Sequence, residues 1–331
     1  MRIGVARALL HSWYGPAWES FLNECGLVSV TSPPTSQTIL ELGVRVAQDE
    51  VCLPIKVYLG HLRYLVEREG VDAVFVPHLV QVGRKQFICP KFMGLPDMVR
   101  TTLPKLFPIF IWQGQKGDDL WKAHAIPTEW QKKFPAKTLQ HALRKAEESY
   151  IKHWMALSTP PSVNSNSDEL GMTIGIIAHP YCLHDNYINL NLVRHLEELG
   201  IKILYPEMVP DVWLKTETSV MNKPLFWTLG RRSLGAAQYY IDRGVNGVIH
   251  LAAFGCGPES MVGEFIEEQL RTAGVPFLHI NLDEHSGEAG LATRLEAFVD
   301  MLTRRKKLAG YLSHHGRDAD FAQYHLSGDR Y

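Results

Sequence analysis

The sequence predicts an α/β protein: two Rossmann-like parallel-sheet domains, related by internal duplication, with a cleft between them. Three observations carry this expectation. Short runs rich in Val and Ile alternate with longer helical patterns, as in parallel sheets covered by helices on both faces. At residues 158–171, Pro, Ser and Asn interrupt the apolar periodicity and mark a linker. On either side the pattern restarts alike: "RIGVARALL" leads to a helical stretch ending "NECGLVSV", and "TIGIIAHPY" to one ending "EELGIKIL". Gly26 and Gly200 are 174 residues apart, as are Gly70 and Gly244, so one offset serves two elements.

In the first half, strands are expected near 2–8, 27–31, 72–77 and 107–112. In the second they are expected near 172–178, 201–205, 247–253 and 276–281. The domains then run 1–157 and 172–308, followed by a tail at 309–331 whose end, "SHHGRDADFAQYHLSGDRY", is too polar to build a core.

The chain of 331 residues is long enough for two sizeable cores at roughly 150 residues per domain. Its 34 Lys and Arg balance 35 Asp and Glu, which argues against a nucleic-acid or anionic-membrane partner. No run of about 18 apolar residues occurs, and no small-residue cleavage site follows the short apolar start; a cytoplasmic protein is expected. Five cysteines are too few, and odd in number, for a disulfide framework, so reduced thiols or metal ligands are expected.

Ligands of such sheets bind beyond the carboxyl ends of the strands. "HPYCLHD" and "FGCGPES" each follow a predicted strand, which puts Cys182 and Cys256 on that edge. Cys52 in "VCLPIKVYLGH" stands just before a helical pattern, and Cys89 in "ICPKFMGLPDM", like Cys256, precedes a Pro-acid helix start, Pro96-Asp97 or Pro258-Glu259. Backbone amides at helix starts favour thiolates. Four thiols are the complement of an iron-sulfur cluster. Each alone reads equally well as a buried small hydrophobe. Four cysteines also suit zinc, although structural zinc sites use local CxxC pairs, which the chain lacks. Cys25, before Gly26 at a helix end, is explained by packing.

Other polar groups have plainer readings beside functional ones. Asp283, Glu284, His285 and Glu288 in "NLDEHSGEAG" could move protons or order a loop, but Asp283 or Ser286 also reads as a helix cap. His184 and Asp185 present the same choice, with Asp185 expected to cap the next helix. Lys56 and Lys91 lie near proposed ligands, where a cation would stabilise a reduced cluster or meet a ligand's phosphate; a solvated lysine is the commoner outcome. Arg231 and Arg232 raise the same alternatives, and "RRKK" at 304–307 is expected on an exposed helix end.

"VCLPIKVYLGH", "ICPKFMGLPDM", "HPYCLHDNYIN", "FGCGPESMVGE" and "NLDEHSGEAGLATRLEAF" together resemble the acyl-CoA dehydratase activase-related proteins, relatives of 2-hydroxyacyl-CoA dehydratase and benzoyl-CoA reductase subunits. The resemblance runs from Met1 to about Leu308. It implies an oxygen-sensitive 4Fe-4S cluster between Rossmann-like domains, ligated by Cys52, Cys89 and Cys256, with Cys182 as the candidate fourth ligand. It also implies low-potential electron transfer or reduction, with an ATP-hydrolysing activator or a dehydratase-like redox protein as partner and an acyl-CoA or other small molecule as ligand. An accessory subunit with a structural cluster is the alternative, and a cluster-free acyl-CoA-binding enzyme a third. Neither G-x-x-x-x-G-K-[ST] nor G-x-G-x-x-G occurs, so the chain itself is not expected to hydrolyse ATP.

Overall fold

The computed structural model describes residues 1–83, 86–103, 109–114, 128–159, 171–215 and 225–315. The first half runs β1 (Arg2–Val5), α1 (His11–Glu24), β2 (Val28–Thr31), α2 (Gln37–Val44), α3 (Leu53–Glu67), β3 (Ala73–Leu79), β4 (Gln81–Gly83), β5 (Gln86–Phe87), α4 (Pro90–Met93), α5 (Leu95–Thr102), β6 (Ile109–Gly114), α6 (Thr128–Lys133) and α7 (Ala136–Ser158). The second runs β7 (Met172–Ala178), α8 (Pro180–Leu183), α9 (Leu192–Glu198), β8 (Ile201–Leu204), a 3₁₀ turn at Pro206–Met208, α10 (Asp211–Lys215), α11 (Thr228–Asp242), β9 (Gly247–Ala253), α12 (Gly257–Thr272), β10 (Phe277–Leu282) and α13 (Glu288–His315).

The expected strands are found within a few residues of their predicted bounds. They form two four-stranded sheets, ordered β2-β1-β3-β6 and β8-β7-β9-β10, in which every pairing is parallel. Taken from each half's first strand, the order is the same. The glycines that share the offset have the same geometry too: Gly26 (φ +74°) and Gly200 (φ +69°) precede β2 and β8, and Gly70 (φ +57°) and Gly244 (φ +63°) precede β3 and β9. A side chain with a Cβ strains at these left-handed positions, which is why glycine ends the helix there. The β4–β5 hairpin is antiparallel and was not among the expected strands. Residues 107–108, the linker from 160 to 170 and the tail beyond 315 lie outside the described residues.

Buried apolar side chains explain the layers. β3, β7 and β9 carry continuous buried runs, as strands covered on both faces require. On α1, Trp13, Tyr14, Ala17, Trp18, Phe21 and Leu22 recur at helical spacing and are buried, and Trp154 of α7 meets Trp13 edge to face at 5.4 Å. The larger buried cluster draws residues from both sheets, including Ile3, Phe75, Ile174 and Leu251. A smaller one joins β9, α11 and α12. Polar contacts also join the halves: the Trp13 indole donates to Glu207 at 2.9 Å, and the amides of Leu53 and Phe87 donate to the carbonyls of Phe254 and Phe226. Among the described residues no helix is long and apolar enough to cross a membrane.

Candidate metal centre

Three of the cysteines hold the same local position. Cys52 is the N-cap of α3, Cys89 of α4 and Cys256 of α12, each with Pro in the next two residues. Proline at the start of a helix costs no hydrogen bond and fixes the backbone angle, so it sharpens the turn at which the cysteine sits. Cys89 thus caps a one-turn helix of its own, and the Pro96-Asp97 pair expected to start its helix belongs to α5. None of the three thiols is spent on capping.

The three caps come together. Leu53 donates its amide to Phe254 O at 3.4 Å, and a Cβ on Gly255 would lie 3.1 Å from Cys52 Cα, so the backbone at Cys52 rests on the residues before Cys256. Burial raises the pKa of Cys52 above the ordinary thiol value, Lys91 and the Ile55 amide pull it down, and the charges of Cys256 and Cys89 raise it again. Cys89 is likewise raised by burial and by Cys256, against the amides of Phe92 and Lys91 and the Lys91 ammonium. Cys52 and Cys89 therefore sense the charge of Cys256 while helix-start amides point at both of them. Such a group resists holding several bare thiolates and is relieved by a cation.

Cys182 differs. It lies inside α8, fully buried, and burial, then Glu259, Cys256, Asp185 and Cys52, holds its thiol well above the usual range. Cys25 sits at the C-cap of α1 in the apolar core, where burial and Glu24 push it up to about 12. All five cysteines are free thiols.

A polar network not singled out in the sequence lies behind Cys256. His179 is the N-cap of α8, and β7, which precedes it, pairs with β9, which precedes Cys256. His179 Nδ1 is 2.8 Å from Glu259 Oε2, in ion-pair contact off the line of a hydrogen bond, and also meets the Tyr181 hydroxyl. The Tyr181 hydroxyl is 3.5 Å from Cys256 Sγ, and His179 Nδ1 is 3.9 Å from it. Glu259 Oε1 lies 3.3 Å from His250 Nε2, and His250 Nδ1 lies 3.1 Å from His279 Nδ1. Burial opposes ionisation of both Glu259 and His179; the attraction between them outweighs it, lowering the carboxyl and raising the imidazole. The ligand atoms of His179, Cys256 and Glu259, all buried, lie within 4.8 Å of one another. The available signal was the His179-Pro180 pair after a strand, which repeats Cys89-Pro90.

The remaining candidates resolve one by one. Lys56 is not a solvated lysine: it is buried, with Nζ 2.6 Å from Glu284 Oε1. Asp185 Oδ1 accepts from the Tyr187 and Ile188 amides, so it caps the turn at 185–188, whereas Asn191 starts α9. Asp283 and Ser286 bond to each other and to the turn that holds them. His184 Nε2 lies 2.9 Å from Glu207 Oε1. Arg231 donates to Leu225 O, and Arg232 lies over the Trp13 and Trp154 rings, so neither joins the cysteines. Arg304 to Lys307 are exposed on α13. Beside the centre, a cavity of about 330 Å³ opens where β1, β2 and β7 end, lined among others by Arg7, His11, Thr35, Pro54, Tyr181 and Asp185.

Residues 2–209 match the family model described as CoA enzyme activase uncharacterised domain (DUF2229). The chain belongs to this family. Residues 211–302 of this CoA enzyme activase-domain protein match the 2-hydroxyglutaryl-CoA dehydratase D-component model. Cys52, Cys89 and Cys182 fall in the first match and Cys256 in the second, so the convergent caps join both. No curated protein matches the activase-domain chain. Among solved structures, one titled "S. aureus MnaA-UDP co-structure" aligns over 90% of this chain and 88% of its own, at 11% identity and a TM-score of 0.23, which carries no argument.

Proposed function

We propose that this protein carries a 4Fe-4S cluster held by Cys52, Cys89 and Cys256, and acts in low-potential electron transfer or reduction related to 2-hydroxyacyl-CoA dehydratase systems. One observation carries the reading: three N-cap cysteines from distant segments come together with no thiol spent on its cap, and helix-start amides directed at Cys52 and Cys89. Amide hydrogen bonds to sulfur and a nearby cation such as Lys91 favour the reduced state. The cluster, when bound, supplies reversible one-electron carriage. The chain's residues hold it, set its potential and limit water around it. The fourth ligand falls in the α8 segment, where Cys182 is the sequence's candidate.

In this reading the halves 1–157 and 172–308 are two domains descended from one duplicated unit, which the shared strand order and the paired left-handed glycines support. The cavity beside Tyr181 is taken as the cleft, open to an acyl-CoA or other small molecule, with Arg7 and His11 on its wall. The protein works in the cytoplasm, its partner being an ATP-dependent activator or a dehydratase-like redox protein, both suggested by the families matched.

The test is anaerobic iron and sulfide analysis of the reconstituted chain, with absorption spectra before and after dithionite. About four iron and four sulfide per chain and reversible bleaching support the redox reading. A bound cluster that does not cycle supports the accessory-subunit alternative. A parent chain that holds no iron or sulfide overturns both.

A further inference from the structure

We infer that His179, rather than Cys182, is the fourth protein ligand of the metal centre, through its Nε2. The inference rests on the cluster reading and assigns the one position that reading leaves open.

Position is the first argument. Cys52, Cys89 and Cys256 are N-caps followed by proline, and His179 is the only other buried ligand-bearing residue among the described residues with that placement. β7 and β9 are neighbours, so their carboxyl ends set His179 and Cys256 side by side. Cys182 is three residues further on, inside the helix turn rather than at its cap.

The second argument is the ring itself. Its Nδ1 is engaged by Glu259 Oε2 and the Tyr181 hydroxyl, while Nε2, in a residue 4% exposed, has no hydrogen-bond partner. Buried polar atoms are rarely left unpaired, so an orphan nitrogen calls for an explanation. Metal-bound histidines commonly donate their other ring N–H to a carboxylate, which fixes tautomer and orientation. Glu259 is the carboxylate on the Nδ1 side of His179, in ion-pair contact at 2.8 Å, and His250 holds Glu259 in turn through its second oxygen. Glu259 is therefore a positioning residue, in ion-pair contact with Nδ1 while Nε2 is left without a partner.

A neutral imidazole in place of a thiolate removes one negative charge from the centre, and histidine ligation raises the potential of an iron-sulfur cluster. The experiment uses the full chain, reconstituted anaerobically, reduced with dithionite and labelled with ¹⁵N-histidine. The parent should show a nitrogen hyperfine coupling that changes with the label. His179→Ala should lose that coupling and release iron to a chelator at least tenfold faster. His179→Cys should keep the iron, lose the coupling and shift the midpoint potential downward. Glu259→Gln should keep the coupling and weaken iron retention by about tenfold. Cys182→Ser should match the parent in iron, coupling and potential. A loaded parent without histidine coupling overturns the inference, as does loss of the cluster in Cys182→Ser with retention in His179→Ala. A parent that takes up no iron and sulfide overturns the cluster reading itself. His179→Cys answers the question if His179→Ala does not fold.

Discussion

Lys56 Nζ lies 2.6 Å from Glu284 Oε1, and this pair ties the helix headed by Cys52 to the turn after β10. The lysine is buried, whereas the carboxylate end is partly open to solvent. Removing Glu284 leaves an uncompensated buried ammonium, and Glu284→Gln should cost about 2 kcal/mol, less than a fully buried pair. Lys56 holds the Glu284 carboxyl below its ordinary pKa. The contribution is therefore present above the unfolded carboxylate value and lost as pH falls through the folded one. Denaturant unfolding of parent and variant at pH 7 and pH 3 checks this; an equal difference at both would refute it.

His61 is buried, with Nδ1 2.8 Å from Ser32 Oγ and Nε2 2.9 Å from Thr35 Oγ1. Burial, then the charges of His11 and Arg7, lower its pKa from 6.5 to about 3. The unfolded chain takes up this proton below pH 6.5 and the folded chain does not. Stability should fall with acid, approaching about 1.4 kcal/mol per pH unit from this group. His61→Gln, which keeps one donor and one acceptor, should lose that slope in unfolding titrations between pH 6.5 and pH 4.

Asp185 shows the opposite sign. Burial raises its pKa, against the Thr35 hydroxyl and the Ile188 and Tyr187 amides. The folded state holds this proton more tightly, so the group's contribution declines as pH rises through the folded value. Asp185→Asn keeps an acceptor for both amides, and should be at least as stable as the parent at pH 8, with a smaller advantage near pH 4. A loss above about 1 kcal/mol at pH 8 would show that the charge itself is required.

Gly43 and Gly60 let α2 and α3 touch backbone to backbone. A Cβ on Gly60 would lie 1.9 Å from Ile39 O, and one on Gly43 would lie 1.9 Å from Lys56 O. Neither obstacle is a side chain that can turn aside. Gly60→Ala should cost about 3 kcal/mol or more by forcing the helices apart. Because α3 carries Cys52 on its first turn, the variant should also bind iron less well, whereas Cys25→Ser, at the far end of α1, should bind it like the parent.

The strand pattern and the 174-residue offset made both sheets legible, because period and spacing are local properties of a sequence. Cys52, Cys89 and Cys256 were legible as helix-start thiols for the same reason. Their convergence was not, since it depends on Phe254 and Gly255 meeting Cys52 across some 200 residues of chain. Lys56 read as solvated because a lysine on a helix usually is; its partner, Glu284, lies 228 residues away. His179 escaped notice because a histidine before proline has no signature of its own until β7 and β9 are known to be neighbours.

The meeting of Cys52 with Gly255 also has a consequence for biosynthesis. Cys52 and Cys89 leave the ribosome long before the segment that completes their surroundings. At about 5–20 residues per second, the wait from Cys89 to Cys256 is on the order of ten to thirty seconds. Through that interval the early thiols are open to oxygen, stray metal and each other, with no cap from the second half to cover them. For the cluster proposed above, loading has to wait until Cys256 has also emerged, late in synthesis.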